Sequence, residues 1–223
     1  VMLTLWEDSK VYFDNVIIKV GDRDDAHPFG VGDEFTLIDA YGFKGNIKGI
    51  ETIKREDIPD FLQYTFTYEI TPDGKKLIAK VVDGQRRDYA GNPYWAGSEV
   101  NEQTSKAIKA YVVGATNYDK YGEDPGKDNV SGGALVIRSG VFEASAYGGF
   151  SGGKGAATGN NLTIDGGTLN KDVAGGYSQN GDAGDYNAGN AVAVRGGMVN
   201  ASVRGGCAPS GNAIANSVEM SGG

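Results

Sequence analysis

One histidine and one cysteine stand in a chain of 223 residues, which narrows the chemistry open to it. His27 lies in the polar run Asp24-Asp25-Ala26-His27-Pro28. A catalytic triad or a zinc site needs further convergent ligands, so His27 reads as a surface-loop histidine. Cys207 has no thiol to pair with and no charged activator beside it, and reads as a buried, inert thiol. Gly148 to Lys154 fits the G-x4-G-K spacing of a phosphate loop, but Gly155 stands where Ser or Thr should hold magnesium. No strand-then-long-helix frame follows, so nucleotide binding is set aside. Asp182, Asp185, Glu123, Asp124 and Asp128 offer hard oxygen ligands in loops, enough for weak Ca²⁺ binding. Neither the RTX repeat nor the EF-hand loop is present, so no dedicated metal or cofactor site is expected. Glu143, Asp165, Asp172 and Glu219 fall at unmatched positions, whereas glycoside hydrolysis needs two carboxylates at a fixed separation. No catalytic residue is assigned. Among Tyr111, Tyr118, Tyr121, Tyr147, Tyr177 and Tyr186, the contact candidates are Tyr118 and Tyr121, which lie in the longest loop, 116–129. Aromatics on a protruding loop suit a protein or glycan partner, and the same loop also suits plain solubilisation.

The elements that must position these residues are set by glycine spacing. Three units read Leu135-Val-Ile137-Arg-Ser-Gly140-Val-Phe142, Leu162-Thr-Ile164-Asp-Gly-Gly167-Thr-Leu169 and Val192-Ala-Val194-Arg-Gly-Gly197-Met-Val199, with a fourth begun at Val218. A second glycine pair follows nine residues later, at 148–149, 175–176 and 205–206. Phe142, Leu169 and Val199 align in this frame, as do Ala146, Val173 and Val203, and Phe150, Tyr177 and Cys207. Apolar residues two apart share one face of a short strand. Glycine pairs are expected to turn the chain at both sites. One such unit cannot bury its few inward side chains alone, but stacked units can. Dense glycine also excludes helices. The fold class is therefore all-β: a parallel β-helix or β-solenoid with Gly-rich repeats of about 26–30 residues over 104–223. Tyr177 is expected to stack on Phe150.

Residues 1–82 read as a β-rich segment, either a small β domain or the end of an earlier β-helix stretch. Tyr64, Phe66, Tyr68 and Ile70 alternate with polar residues, and Thr71-Pro-Asp-Gly74 turns them into Lys76–Val82, a hairpin. Residues 83–103 are polar, with Gly84, Gly91, Pro93 and Gly97, and read as a linker. A net charge of −8 repels phosphate backbones, so nucleic acid is not an expected partner. There is no apolar run of 18 residues, hence no membrane span in this segment. The chain begins at Val1 and stops at Gly223 inside a repeat, so both ends read as cut from something longer.

Asn161-Leu-Thr-Ile-Asp-Gly-Gly-Thr-Leu followed by Val173-Ala-Gly-Gly-Tyr-Ser resembles the repeats in passenger regions of bacterial autotransporter adhesins. Gly32-Asp-Glu-Phe-Thr-Leu-Ile-Asp-Ala40 and the hairpin at 73–80 look like passenger segments too. The resemblance implies secretion to the bacterial cell surface, a right-handed parallel β-helix, and adhesion to a host or bacterial surface protein or glycan, or self-association. It leaves three functional expectations: a non-catalytic structural or adhesive surface segment, a carbohydrate-active β-helix lyase or hydrolase, and a self-associating surface fibre subunit.

Overall fold

The computed structural model describes residues 3–4, 10–21, 29–118 and 126–223. The protein is nearly all β, with parallel sheets arranged as a β-solenoid of about seven turns. It divides into two compact units, residues 1–56 with 60–84, and residues 57–59 with 85–223.

In the first unit, β1 (Leu3–Thr4) runs parallel to β3 (Glu34–Asp39), and β2 (Lys10–Gly21) runs parallel to β4 (Gly42–Ile53). The sequence suggests separate strands at 10–13 and 16–20, but these are one strand with a bulge. Asn15 sits at φ +54, and the register slips after Phe13 and again after Val16. Glycines at 42, 45 and 49 hide β4 from any alternation pattern, and its pairing with β2 holds it extended. After a 3₁₀ turn at Asp60–Leu62, β5 (Thr65–Ile70) and β6 (Lys76–Asp83) form the expected hairpin, with β6 also antiparallel to β3. Asp73 shapes its turn by accepting from Thr71 Oγ1 at 2.6 Å and from the Lys75 N–H at 3.1 Å. Leu37, Leu77, Ala79 and Val81 form the core, with Phe29 edge-on to Tyr64 and Phe66.

The second unit corrects the sequence-based linker. Within 83–103 lie β7 (Arg86–Arg87), β8 (Pro93–Ala96) and β9 (Glu99–Asn101). The first solenoid turn of this unit is built from β8, β9 and β10 (Ala107–Ile108). Gly91 lies in the turn of the antiparallel β7–β8 hairpin, Pro93 opens β8, and Gly97 separates β8 from β9, so short strands and turns here share the composition of a linker. Later turns comprise β11 (Tyr111–Thr116), β12 (Val130–Ser131), β13 (Ala134–Ser139) and β14 (Val141–Phe142), then β15 (Ala146–Ser151), β16 (Ala157–Thr158), β17 (Asn161–Ile164) and β18 (Thr168–Leu169). The last two contribute β19 (Val173–Ser178), β20 (Ala191–Val194) and β21 (Met198–Val199), and β22 (Val203–Cys207) and β23 (Ser217–Met220). The long sheet runs β8-β11-β15-β19-β22, a second runs β9-β13-β17-β20-β23, and a third runs β10-β14-β18-β21.

The inward columns expected from sequence are in register. Val100, Ile137, Ile164 and Val194 pair across the second sheet, as do Ile108, Phe142, Leu169 and Val199 across the third. Val112, Ala146, Val173 and Val203 follow in the long sheet. Most of these side chains are fully buried, so each turn lends its neighbour the core it lacks alone.

The two glycine pairs have different causes. Gly167, at φ +89, turns the chain between β17 and β18 as expected. The second pair does not turn the chain. It lies inside β15, β19 and β22, where backbone passes close to the neighbouring sheet. A Cβ on Gly176 would overlap the side chain of Asn190. That asparagine belongs to an internal ladder. Asn160 and Asn190 are both 0 % exposed. Asn160 donates its backbone N–H (3.0 Å) and Nδ2 (2.9 Å) to Asn190 Oδ1. Asn190 does the same to Asn216 Oδ1, at 2.8 and 2.9 Å. Each Nδ2 also reaches a backbone carbonyl one turn away, Val130 for Asn160 and Ala157 for Asn190. The ladder satisfies the buried corner where the long and second sheets meet.

Candidate functional site

Only one of the two loop-borne contact candidates expected from sequence, Tyr118, lies among the described residues. Tyr118 is only 8 % exposed, packed against Phe150 (5.9 Å between ring centroids) and Tyr94 (5.9 Å). It is pulled in because a neighbouring aromatic cluster buries more of its ring than solvent would. Tyr121, Glu123, Asp124 and His27 lie outside the described residues. Among the acidic loop residues that are described, Asp182 Oδ1 accepts the Asn212 N–H, and Asp185 Oδ1 accepts those of Asn187 and Ala188. These carboxylates shape their own loops, and no group of three His, Cys, Asp or Glu that could hold a metal occurs among the described residues. Of the phosphate-loop look-alike, 148–151 is strand β15, and the Lys154 N–H donates to the Gly126 carbonyl.

What the structure assembles instead is an aromatic face on the long sheet. Adjacent strand residues point to opposite faces, so Tyr147 faces away from the inward Ala146, and Val113 away from Val112. On this outer face Tyr94, Tyr111, Tyr118, Tyr147, Phe150 and Tyr177 form one continuous cluster. Tyr94 stacks on Tyr111 at 5.4 Å, Tyr111 meets Phe150 at 5.3 Å, and Tyr147 meets Tyr177 at 5.2 Å. Phe150 and Tyr177 are 5.1 Å apart with planes only 2° from parallel, the stack expected from sequence. Tyr94 and Phe150 form the buried floor, while Tyr111, Tyr147 and Tyr177 are half-buried and reach the surface. Burial pushes the Tyr147 phenol up to about 12, and burial with the nearby Asp88 charge raises Tyr111 further. Burial likewise raises Tyr177.

Two adjoining grooves of about 520 and 390 Å³ run along this face and share Ser145, Tyr147, Lys171 and Tyr177. Their carboxylates are engaged by this chain. Asp88 accepts from the Asn92 N–H at 2.8 Å and from the Tyr111 hydroxyl at 3.2 Å. Glu143 accepts from Asn170 Nδ2 at 2.8 Å. Asp172 accepts from Arg204 at 2.8 Å and from the Ser202 N–H at 3.1 Å. The Arg204 hydrogen bond holds the Asp172 carboxyl below the usual carboxylate range, so it stays ionised and is a poor proton donor. Cys207 is half-buried at the end of the Phe150–Tyr177 column and lines the larger groove, in contrast to the fully buried thiol expected.

Sequence reasoning weighed these tyrosines singly and missed the face. The available signal was positional: Tyr147 follows the inward Ala146, and Tyr111 precedes the inward Val112, so both fall on strands that repeat in register. No protein-family model, curated protein or solved structure matches this chain.

Proposed function

We propose that this chain is a non-catalytic, secreted cell-surface segment of adhesive type, with the aromatic face of the long sheet as its contact surface. The observation that carries the reading is that face: six rings gathered from four turns, with half-buried tyrosines along open grooves. Partly exposed tyrosines on a rigid scaffold give a large contact area at low entropic cost. The resemblance of the repeats to autotransporter passengers supports a location at the bacterial surface. Against the enzyme alternative, Asp172 is locked to Arg204, which keeps it ionised and leaves it a poor general acid. Beads coated with the purified chain are expected to be retained on an epithelial monolayer, and the Tyr147→Ala/Tyr177→Ala variant to lose most of that retention at an unchanged circular-dichroism spectrum. Retention equal to that of uncoated beads would sink the adhesive reading. New reducing ends released from xylan, pectin or chitin by the unaltered chain would restore the enzyme.

A further inference from the structure

The aromatic column of the long sheet is interrupted at a specific place. Phe150, Tyr177 and Cys207 are equivalent positions on β15, β19 and β22. Phe150 covers one face of the Tyr177 ring, with the planes 2° from parallel. On the other side the next turn offers the small Cys207 where a third ring would complete the stack. The space so left belongs to the larger groove, about 520 Å³, whose wall also carries Tyr147, Asn170, Asp172 and Arg204. A flat ring face is thus left facing a cavity, beside groups that donate and accept hydrogen bonds.

The charge around both grooves is balanced. Lys109, Lys171 and Arg204 stand against Asp88, Glu143 and Asp172. An anionic ligand would need an excess of cations, and a cationic one an excess of carboxylates, and neither is present. Flat aromatic area wants a partner with polarised C–H groups on one face. The Asp172–Arg204 pair and the Asn170 amide, held by contacts to neighbouring turns, want hydroxyls that both donate and accept. A pyranose ring has both: an apolar C–H face and a rim of hydroxyls. We propose that the groove over Tyr177 binds an uncharged oligosaccharide, with one sugar ring filling the stack position that Cys207 leaves open. The continuation of the groove past Tyr147 toward Tyr111 gives room for neighbouring units of the same glycan.

The inference rests on the aromatic face being the contact surface. It is tested by isothermal titration of the full chain with cellohexaose, maltohexaose, xylohexaose and chitohexaose, with polygalacturonate and heparin as anionic comparators. At least one neutral hexamer is expected to bind in the micromolar to millimolar range, and neither anion to bind more tightly. Tyr177→Ala is expected to weaken that binding at least tenfold. Cys207→Tyr completes the stack with the chain's own ring and is expected to abolish binding while the melting temperature holds or rises. Tyr186→Ala, on a residue 88 % exposed and outside the grooves, controls for general loss of aromatic surface. Unaltered affinity in Cys207→Tyr overturns the proposal, as does tighter binding of an anion. Adhesion of coated beads that needs Tyr147 and Tyr177, with no hexamer bound at 10-millimolar scale, overturns the sugar assignment but leaves the contact face standing. Loss of both removes the two readings together.

Discussion

Replacing Asn190 with alanine removes four hydrogen bonds at once: two donated by its Nδ2, to Ala157 and Asn216, and two accepted from Asn160. The Asn160 N–H would then be left without a partner at a buried site, while the Ala157 carbonyl would keep only the Gly184 N–H. A buried polar group stranded in this way costs about 1–3 kcal/mol, so Asn190→Ala is expected to lose about 2–3 kcal/mol, read as a lower urea midpoint. A loss under about 1 kcal/mol would mean water enters the corner and the ladder is not structural. The tyrosines make a second residue-scale prediction. Tyr147 is held neutral up to about 12 by burial, whereas an unfolded tyrosine ionises near 10. Because the folded value is raised, the stabilisation is complete below pH 10 and is lost as pH climbs toward 12. Alkaline unfolding should therefore begin in that window, with the 295-nm phenolate signal of the cluster rising together with loss of structure. Tyr147→Phe removes one late-ionising phenol from that signal and flattens the alkaline slope. A phenolate signal complete before any unfolding would contradict the buried face.

At the scale of elements, the same residue type has two causes. Gly74 is needed for its positive φ and has nothing near its missing Cβ. Gly176 sits in a strand and is needed because Asn190 occupies the space. Gly74→Ala should thus cost about 1–2 kcal/mol of backbone strain. Gly176→Ala should cost about 2–3 kcal/mol of overpacking. A double-mutant cycle separates the mechanisms. Gly176→Ala combined with Asn190→Ala should cost less than the sum of the two, since the added methyl enters the space the asparagine vacates. Strict additivity would refute close approach as the reason for the glycine. This distinction also marks what is legible in the sequence. The inward columns can be read because Leu135, Leu162 and Val192 recur with fixed neighbours, and strand alternation does the rest. The second glycine pair is misread because glycine signals a turn and a close approach with the same letter. The first turn of the second unit is misread because the short strands and turns around β8 and β9 have a linker's composition. The aromatic face is hardest to see, since Tyr94 and Tyr111 belong to turns whose repeat is degenerate, and only the register of β8 with β11 brings them under Phe150.

At the scale of the whole molecule, a solenoid unit has a direction, and the edges of the long sheet are unlike. On one side β7 pairs antiparallel with β8 and covers the edge. On the other, β22 ends the long sheet while β21 and β23 end the third and second. Val218 continues the column of Leu135, Leu162 and Val192, each 1 % exposed, yet is itself 45 % exposed, and Met220 is 68 % exposed. An uncovered strand edge backed by apolar side chains is a template for pairing. β7 covers the opposite edge of the long sheet alone, while β9 and β10 end the second and third sheets there. A head-to-tail contact of β23 with β9 would propagate, whereas a contact through the same turn is isologous and closes as a two-fold dimer. The 223-residue chain, taken alone, is expected to show a concentration-dependent mass in light scattering, and a mass that levels off at twice the monomer marks the closed contact. Val218→Lys with Met220→Lys places charge on the exposed edge, where it costs little folding stability, and should raise the dimer dissociation constant at least about tenfold. Mass that keeps growing with concentration would point to a fibre, and mass unaffected by the two lysines would move the contact to another surface. The aromatic face runs along the outer side of the long sheet as far as Arg204 and Cys207 on β22, whereas Val218 and Met220 lie on β23 of the second sheet. Titration with a neutral hexasaccharide should accordingly leave the dimer intact, and a hexasaccharide that dissociates it would place the two contacts on one surface.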